Sequence, residues 1–173
     1  MTNSRSPFFT WALSFTGNST SRPLTSGEYA ELSPGLGQAL ATAGVRPVID
    51  SGPHPAAYLA RLRFGSLPIM AVGRTVWWPD VRADLAGTGE MAVLQHELQH
   101  LLDFADGSLS VAGYLLLPRN WTYRWALSEG LRWDRLGAEQ RASVAEALWR
   151  AERSPGQAEM AAALRRVIPW ASG

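Results

Sequence analysis

Hydrophobic positions along this chain change period several times, and each change marks an expected element. In "VLQHELQHLLDFA", residues 93–105, Leu94, Leu98, Leu101, Leu102 and Ala105 recur at three- and four-residue spacing with polar residues between them. That pattern predicts an amphipathic helix from about Gly89 to Ala105, capped by Thr88 and ended by Asp106-Gly107. Upstream, Thr25-Ser26-Gly27-Glu28 has capping-box spacing and opens a helix expected to reach about Ala43, with a break near Pro34-Gly35. The short apolar runs "VRPVID" (45–50), "LPIMAV" (67–72) and "TVWW" (75–78) read as strands. Gly73-Arg74 is a tight turn joining the last two, and Pro79 favours an exposed sheet edge there. After "GYLLLP", segments 120–129, 137–152 and 157–166 are helical in pattern, with Ser154-Pro155-Gly156 dividing the last two. The order predicts an α+β fold, a small mixed β-sheet followed by a helical C-terminal half. Residues 1–23, rich in Ser, Thr and Asn, read as a flexible N-terminal arm, and 24–173 as a single domain.

Composition narrows the chemistry. With 173 residues, 46% hydrophobic and 18% charged, the chain can bury a sizeable core. A net charge of +1 gives no steering toward nucleic acid or membrane, and no run reaches membrane-spanning length. The early apolar patch is interrupted by Thr10 and Ser14 and lacks a small-residue cleavage pattern. A cytoplasmic location is expected, with secretion by a non-classical route open. Cysteine is absent, so thiolate metal sites and cysteine nucleophiles are excluded, and any metal takes nitrogen and oxygen ligands.

Two of the three histidines, His96 and His100, stand four apart on the predicted helix, with Glu97 directly after the first. Positions i and i+4 lie about 40° apart around the axis, so both imidazoles can address one ion. The leucines take roughly the opposite side, leaving the histidines to face a cleft. Glu97, turned by about 100° from His96, can reach a water at that ion without ligating it. Catalytic zinc takes three protein ligands and leaves a position for water. Candidates for the third are Asp103, Asp106, Glu129, Asp134, Glu139, Glu146 and His54. Asp106 would suit a short extension of the motif, but the sharp turn needs glycine where Asp103 stands. Glu139 shares its helical stripe with Ser143, Glu146 and Arg150, which equally describes a solvated face.

"HELQH", followed by Glu139-x-x-Ala142-Ser143, resembles the two motifs of gluzincin-type metallopeptidases within the zincin-like proteins. The chain also resembles compact bacterial metallopeptidase-like and Vgr-related proteins. It carries their "R-x-L-T-x-G-E" stretch as Arg22-Pro-Leu24-Thr-Ser-Gly27-Glu28 and their "G-x-E-Q-x-A" segment as Gly137-Ala-Glu139-Gln140-Arg-Ala142. The likeness spans about residues 22–150, and only the histidine motif is specific by itself. It implies a zincin-like fold with one zinc per chain, His96, His100 and Glu139 as ligands, and Glu97 as general base for a zinc-activated water attacking a peptide bond. Where such proteins often carry an aspartate orienting a histidine, this chain has Ser143. Tyr114, Tyr123, His54 and Arg119 are candidate oxyanion donors, and Thr75–Trp78 a candidate edge for an extended substrate. Trp121, Trp125, Trp133 and Trp149 are expected to pack the helical half. The expected partner is a peptide or protein substrate. The alternative is a catalytically inactive zincin-like accessory module that binds a partner, such as a component of a bacterial secretion system.

Overall fold

The computed structural model describes residues 19–58, 61, 65–128 and 130–171. Residues 1–18 of the expected arm and the candidate Glu129 lie outside them. The arm ends earlier than its composition suggested, because Ser21–Pro23 form strand β1. β1 pairs antiparallel with β2 (Val48–Asp50), and β2 runs parallel to β4 (Thr75–Trp77). β4 pairs antiparallel with β3 (Met70–Val72) through the expected Gly73-Arg74 turn, where Gly73 adopts φ +64. The strand order is β1-β2-β4-β3, a four-stranded mixed sheet. Thr75–Trp77 is therefore an inner strand, and the edge beside it is Met70–Val72. A proline at 79 falls after the ladder ends, so it did not report on the strand's position.

Between β1 and β2 run α1 (Ser26–Ala30) and α2 (Leu36–Thr42), separated by the expected break. Thr25 caps α1 through a complete capping box with Glu28. The buried Glu28 carboxylate also takes a bidentate pair from Arg22, at 2.7 and 2.8 Å, and the Leu85 backbone N–H at 3.0 Å. The Arg22…Glu28 stretch is thus a structural clasp between strand, helix and the loop before the histidine helix. That helix, α3, spans Glu90–Ala105. Gly89 rather than Thr88 stands at its N-cap, since the Thr88 hydroxyl donates back to Leu85 O at 2.6 Å.

Sheet and α3 enclose the main core, built from Leu36, Leu40, Ile49, Val76, Leu94, Leu98 and Leu101 among others. Trp78 is in this core, whereas Trp77 is half-buried with its ring edge-on to His54 at 5.4 Å. α3 is not the half-exposed helix its periodicity implied. Gln95, His96, Glu97, Gln99, His100 and Asp103 are buried too, because α5 (Ala138–Arg153) covers the polar side. α6 (Ala158–Val167) closes a second core on Leu148 and Val144, and Trp170 packs against both clusters.

Between α3 and α5 the chain forms α4 (Val111–Leu116) and a 3-10 turn, Pro118–Trp121. The expected helix over 120–129 does not form, and residues 122–128 carry no regular structure. Its aromatic spacing mimicked helical periodicity, but of its aromatics only Trp125 packs on the second cluster, while Trp121 and Tyr123 stay exposed. Trp149 is buried and Trp125 and Trp133 pack on the second cluster, while Trp121 is exposed, against expectation.

The buried pair Asp103–Arg141 joins α3 to α5, with Arg141 Nε donating at 3.0 Å and Nη2 at 2.9 Å from the same oxygen. Burial pushes the Asp103 pKa up more than Arg141 and Gln99 pull it down, so desolvation outweighs attraction at this carboxyl. Asp103→Ala is expected to cost about 3–5 kcal/mol by leaving a buried guanidinium unpaired, while Asp103→Leu with Arg141→Met costs much less. Denaturant unfolding of the variants measures both.

Candidate metal centre

His96 and His100 project from consecutive turns of α3 toward α5, their rings 5.0 Å apart and nearly perpendicular. Glu139, in the first turn of α5, meets both. Its Oε2 lies 3.0 Å from His96 Nε2 and 3.5 Å from His100 Nε2. The three ligand atoms fall within 4.8 Å of one another and all three residues are buried. Two imidazole nitrogens and one carboxylate oxygen converging in a buried site are a donor set suited to zinc.

Local sequence explains why Glu139 arrives there. A Cβ on Gly137 would sit 2.1 Å from Arg119 O, so only glycine lets the start of α5 lie against the 3-10 turn. The Gln140 side chain accepts from the Gly137 N–H at 2.9 Å and donates to Arg124 O at 2.6 Å. Ala138, Ala142 and Ala145 are fully buried and small enough for α5 to approach α3 closely. The Gly137…Ala142 stretch is thus a docking segment that carries one chemical group, Glu139.

The surrounding groups hold the cluster in place. Tyr114 OH donates to Glu139 Oε1 at 2.6 Å, which leaves Oε2 for the histidines. Tyr123 stacks on His96 with centroids 6.1 Å apart, and its hydroxyl also faces Glu139. Glu146, two turns along α5 from Glu139, places Oε2 3.4 Å from His96 Nδ1. It stands where the likeness led one to look for a carboxylate at position 143, displaced by one turn. The spacing signal existed, since positions seven apart share a helix face, but the same stripe fitted solvent equally well. Tyr114 sits on a segment without a clear periodicity, so its contact with Glu139 was not legible.

The electrostatics follow from these contacts. Burial disfavours a charge on Glu139, but hydrogen bonds with His100, His96 and Tyr114 more than offset it and hold the carboxyl far below its usual range. Burial likewise opposes the His96 imidazolium, yet Glu139 and Glu146 raise its pKa to about 9. Glu97 is pushed up by burial, only partly countered by the two histidines. Its carboxylate makes no hydrogen bond or ion pair among the described residues. Burial, then the Glu139 charge, keep Tyr114 and Tyr123 protonated.

The other candidates are occupied elsewhere. Asp103 pairs with Arg141 and Gln99, and Asp106 accepts from Ser108 N at the exposed end of α3. Asp134 pairs with Arg132 on the surface. His54 packs on Trp77 and accepts from Ala56 N at 3.1 Å. Arg119 is exposed on the 3-10 turn. Compared with protein-family models, curated proteins and solved structures, the chain matches none.

Two outcomes follow. His96 has a folded pKa above its ordinary 6.5, so its pairing stabilises the metal-free protein fully below pH 6.5 and fades as pH rises through about 9. Glu139, depressed, contributes above its ordinary 4.5 and fades as pH falls below that. Urea midpoints of chelator-treated protein should therefore peak between pH 4.5 and 6.5, and His96→Gln should flatten the alkaline side. Second, Glu146→Gln should weaken zinc binding by about 10–100-fold in chelator competition, because it loosens His96 without removing a ligand.

Proposed function

We propose that this protein is a zinc-dependent peptidase with a zincin-like arrangement, in which His96, His100 and Glu139 hold the metal and Glu97 is the general base. The observation that carries this reading is the convergence of three donors from two helices beside the Glu97 carboxylate, which pairs with none of the described residues. A purely structural site has no use for an unengaged carboxylate whose pKa is raised at that position. Bound zinc would act as a Lewis acid toward the scissile carbonyl and the attacking water.

The chain's own groups supply the remaining steps. Glu97, with its pKa raised by burial, is poised to take a proton from the attacking water and return it to the departing amine nitrogen. Tyr114 fixes Glu139 and stays engaged. Tyr123 keeps its proton and holds its hydroxyl at the cluster facing Glu139, so it is the donor placed to turn from that carboxylate toward a developing oxyanion. An extended substrate would pair along β3, Met70–Val72, an edge strand of the sheet among the described residues and packed on α3, instead of along 75–78.

A second reading, a closed metal site in a non-catalytic accessory or partner-binding module, is favoured by the burial of all three donors beneath two tyrosines. One pair of measurements separates them. Purified protein is expected to carry about one zinc, lost in His96→Ala and Glu139→Ala. Glu97→Gln should keep the zinc but cut cleavage of a peptide library by about 10²–10⁴-fold. Zinc without cleavage in the parent protein would select the accessory reading, and no zinc at all would remove both.

A further inference from the structure

We propose that the segment Val111–Arg124 is a docking surface for an anionic lipid bilayer. Large apolar side chains are concentrated on it: Leu116 is 76% exposed, Leu115 59%, Tyr123 57%, Val111 55%, Trp121 47% and Leu117 44%. Such contiguous apolar exposure on a water-soluble surface marks an interaction site. None of the six residues of α4 is buried, so packing does not hold this helix in place. Polar anchors do. Ser110 caps it, Asn120 Nδ2 donates to Gly113 O at 2.9 Å, and Trp121 Nε1 donates to Tyr114 O at 2.6 Å. Tyr114 is tied in turn to Glu139. The backbone is thereby fastened from below while its leucines project outward.

The form and charge of the patch select the occupant. A peptide subsite is concave and covers its apolar lining, whereas Leu116 stands clear of the surface. A protruding leucine tip suits insertion into a soft apolar phase. Trp121 flanks it with a ring of the kind that settles at a headgroup boundary. Arg119 and Arg124 are exposed on the same segment. Residues Gly107–Ser128 hold these two arginines and no Asp or Glu, and neither arginine makes an ion pair among the described residues. Both are free for lipid phosphates. Leucines, interfacial aromatics and a basic rim together make an anchor that lies on a membrane without crossing it. No helix among the described residues is long and apolar enough to cross one. Tyr114 and Tyr123 belong to this same segment, so docking would bring the histidine cluster to the bilayer surface. The inference itself does not depend on a metal.

The test is sedimentation of the full chain with vesicles of phosphatidylcholine alone and of phosphatidylcholine mixed with phosphatidylglycerol. Binding is expected to the anionic vesicles and to weaken with added salt. Leu115→Ser with Leu116→Ser should lower partitioning about a hundredfold. Arg119→Gln with Arg124→Gln should lower it by about tenfold or more on anionic vesicles and leave neutral ones unaffected. Both arginines are exposed and their side chains make no hydrogen bond or ion pair among the described residues, so this pair decides the matter if the leucine pair fails to fold. Absence of vesicle binding would overturn the proposal. So would binding that both variants leave unchanged, or a dimer that the leucine variant disperses without any vesicle association.

Discussion

The close packing of α5 on the polar side of α3 is the constraint on which the rest of this molecule depends. It converts a helix with one apolar stripe into one buried around its circumference, and it carries Glu139 to two histidines forty residues away in sequence. Three features permit the approach: small alanines on α5, a glycine at 137 that admits the Arg119 carbonyl, and the Asp103–Arg141 pair that sets register.

Burying so many polar groups on one helix is costly unless each finds a partner. Most do. Gln95 accepts from Ser33 N, Gln99 bridges Asp103 and Trp170, and Asp103 meets Arg141. His96 is held between two carboxylates. The exceptions are Gln95 Nε2, on the side facing Ser33, and His100 Nδ1, the ring nitrogen turned away from Glu139; both are buried without a hydrogen-bond partner. The Glu97 carboxylate, beside the cluster, makes no hydrogen bond or ion pair among the described residues.

The strap from Ser110 to Ser128 does two jobs at once. Its inner face supplies the tyrosines that fasten Glu139 and cover His96, and its outer face carries the exposed leucines. With little apolar burial of its own, it is the least firmly packed of the described parts around the site, held by side-chain hydrogen bonds to α5 and to itself. Whatever engages its outer surface would therefore act on the tyrosines beneath.

Local periodicity was enough to place α3, α5, α6, the β3–β4 turn and the break between α1 and α2, because each is set by neighbours a few residues apart. It also put His96 and His100 on one helix face, a geometric certainty once the helix forms. By contrast, the order of strands, the strand character of Ser21–Pro23 and the inner position of Thr75–Trp77 depend on pairings across distant segments, which no local pattern encodes. The aromatic stretch 120–129 showed the opposite failure, a helical spacing of which only Trp125 finds the second cluster while Trp121, Tyr123 and Leu127 stay exposed. The same holds for the site. Helical spacing left Glu139 as one of several carboxylates, and only its resemblance to a gluzincin motif singled it out. Tertiary packing brought it to the histidines, set Glu146 behind His96, and tied Asp103 to an arginine, because those contacts join helices about forty to fifty residues apart.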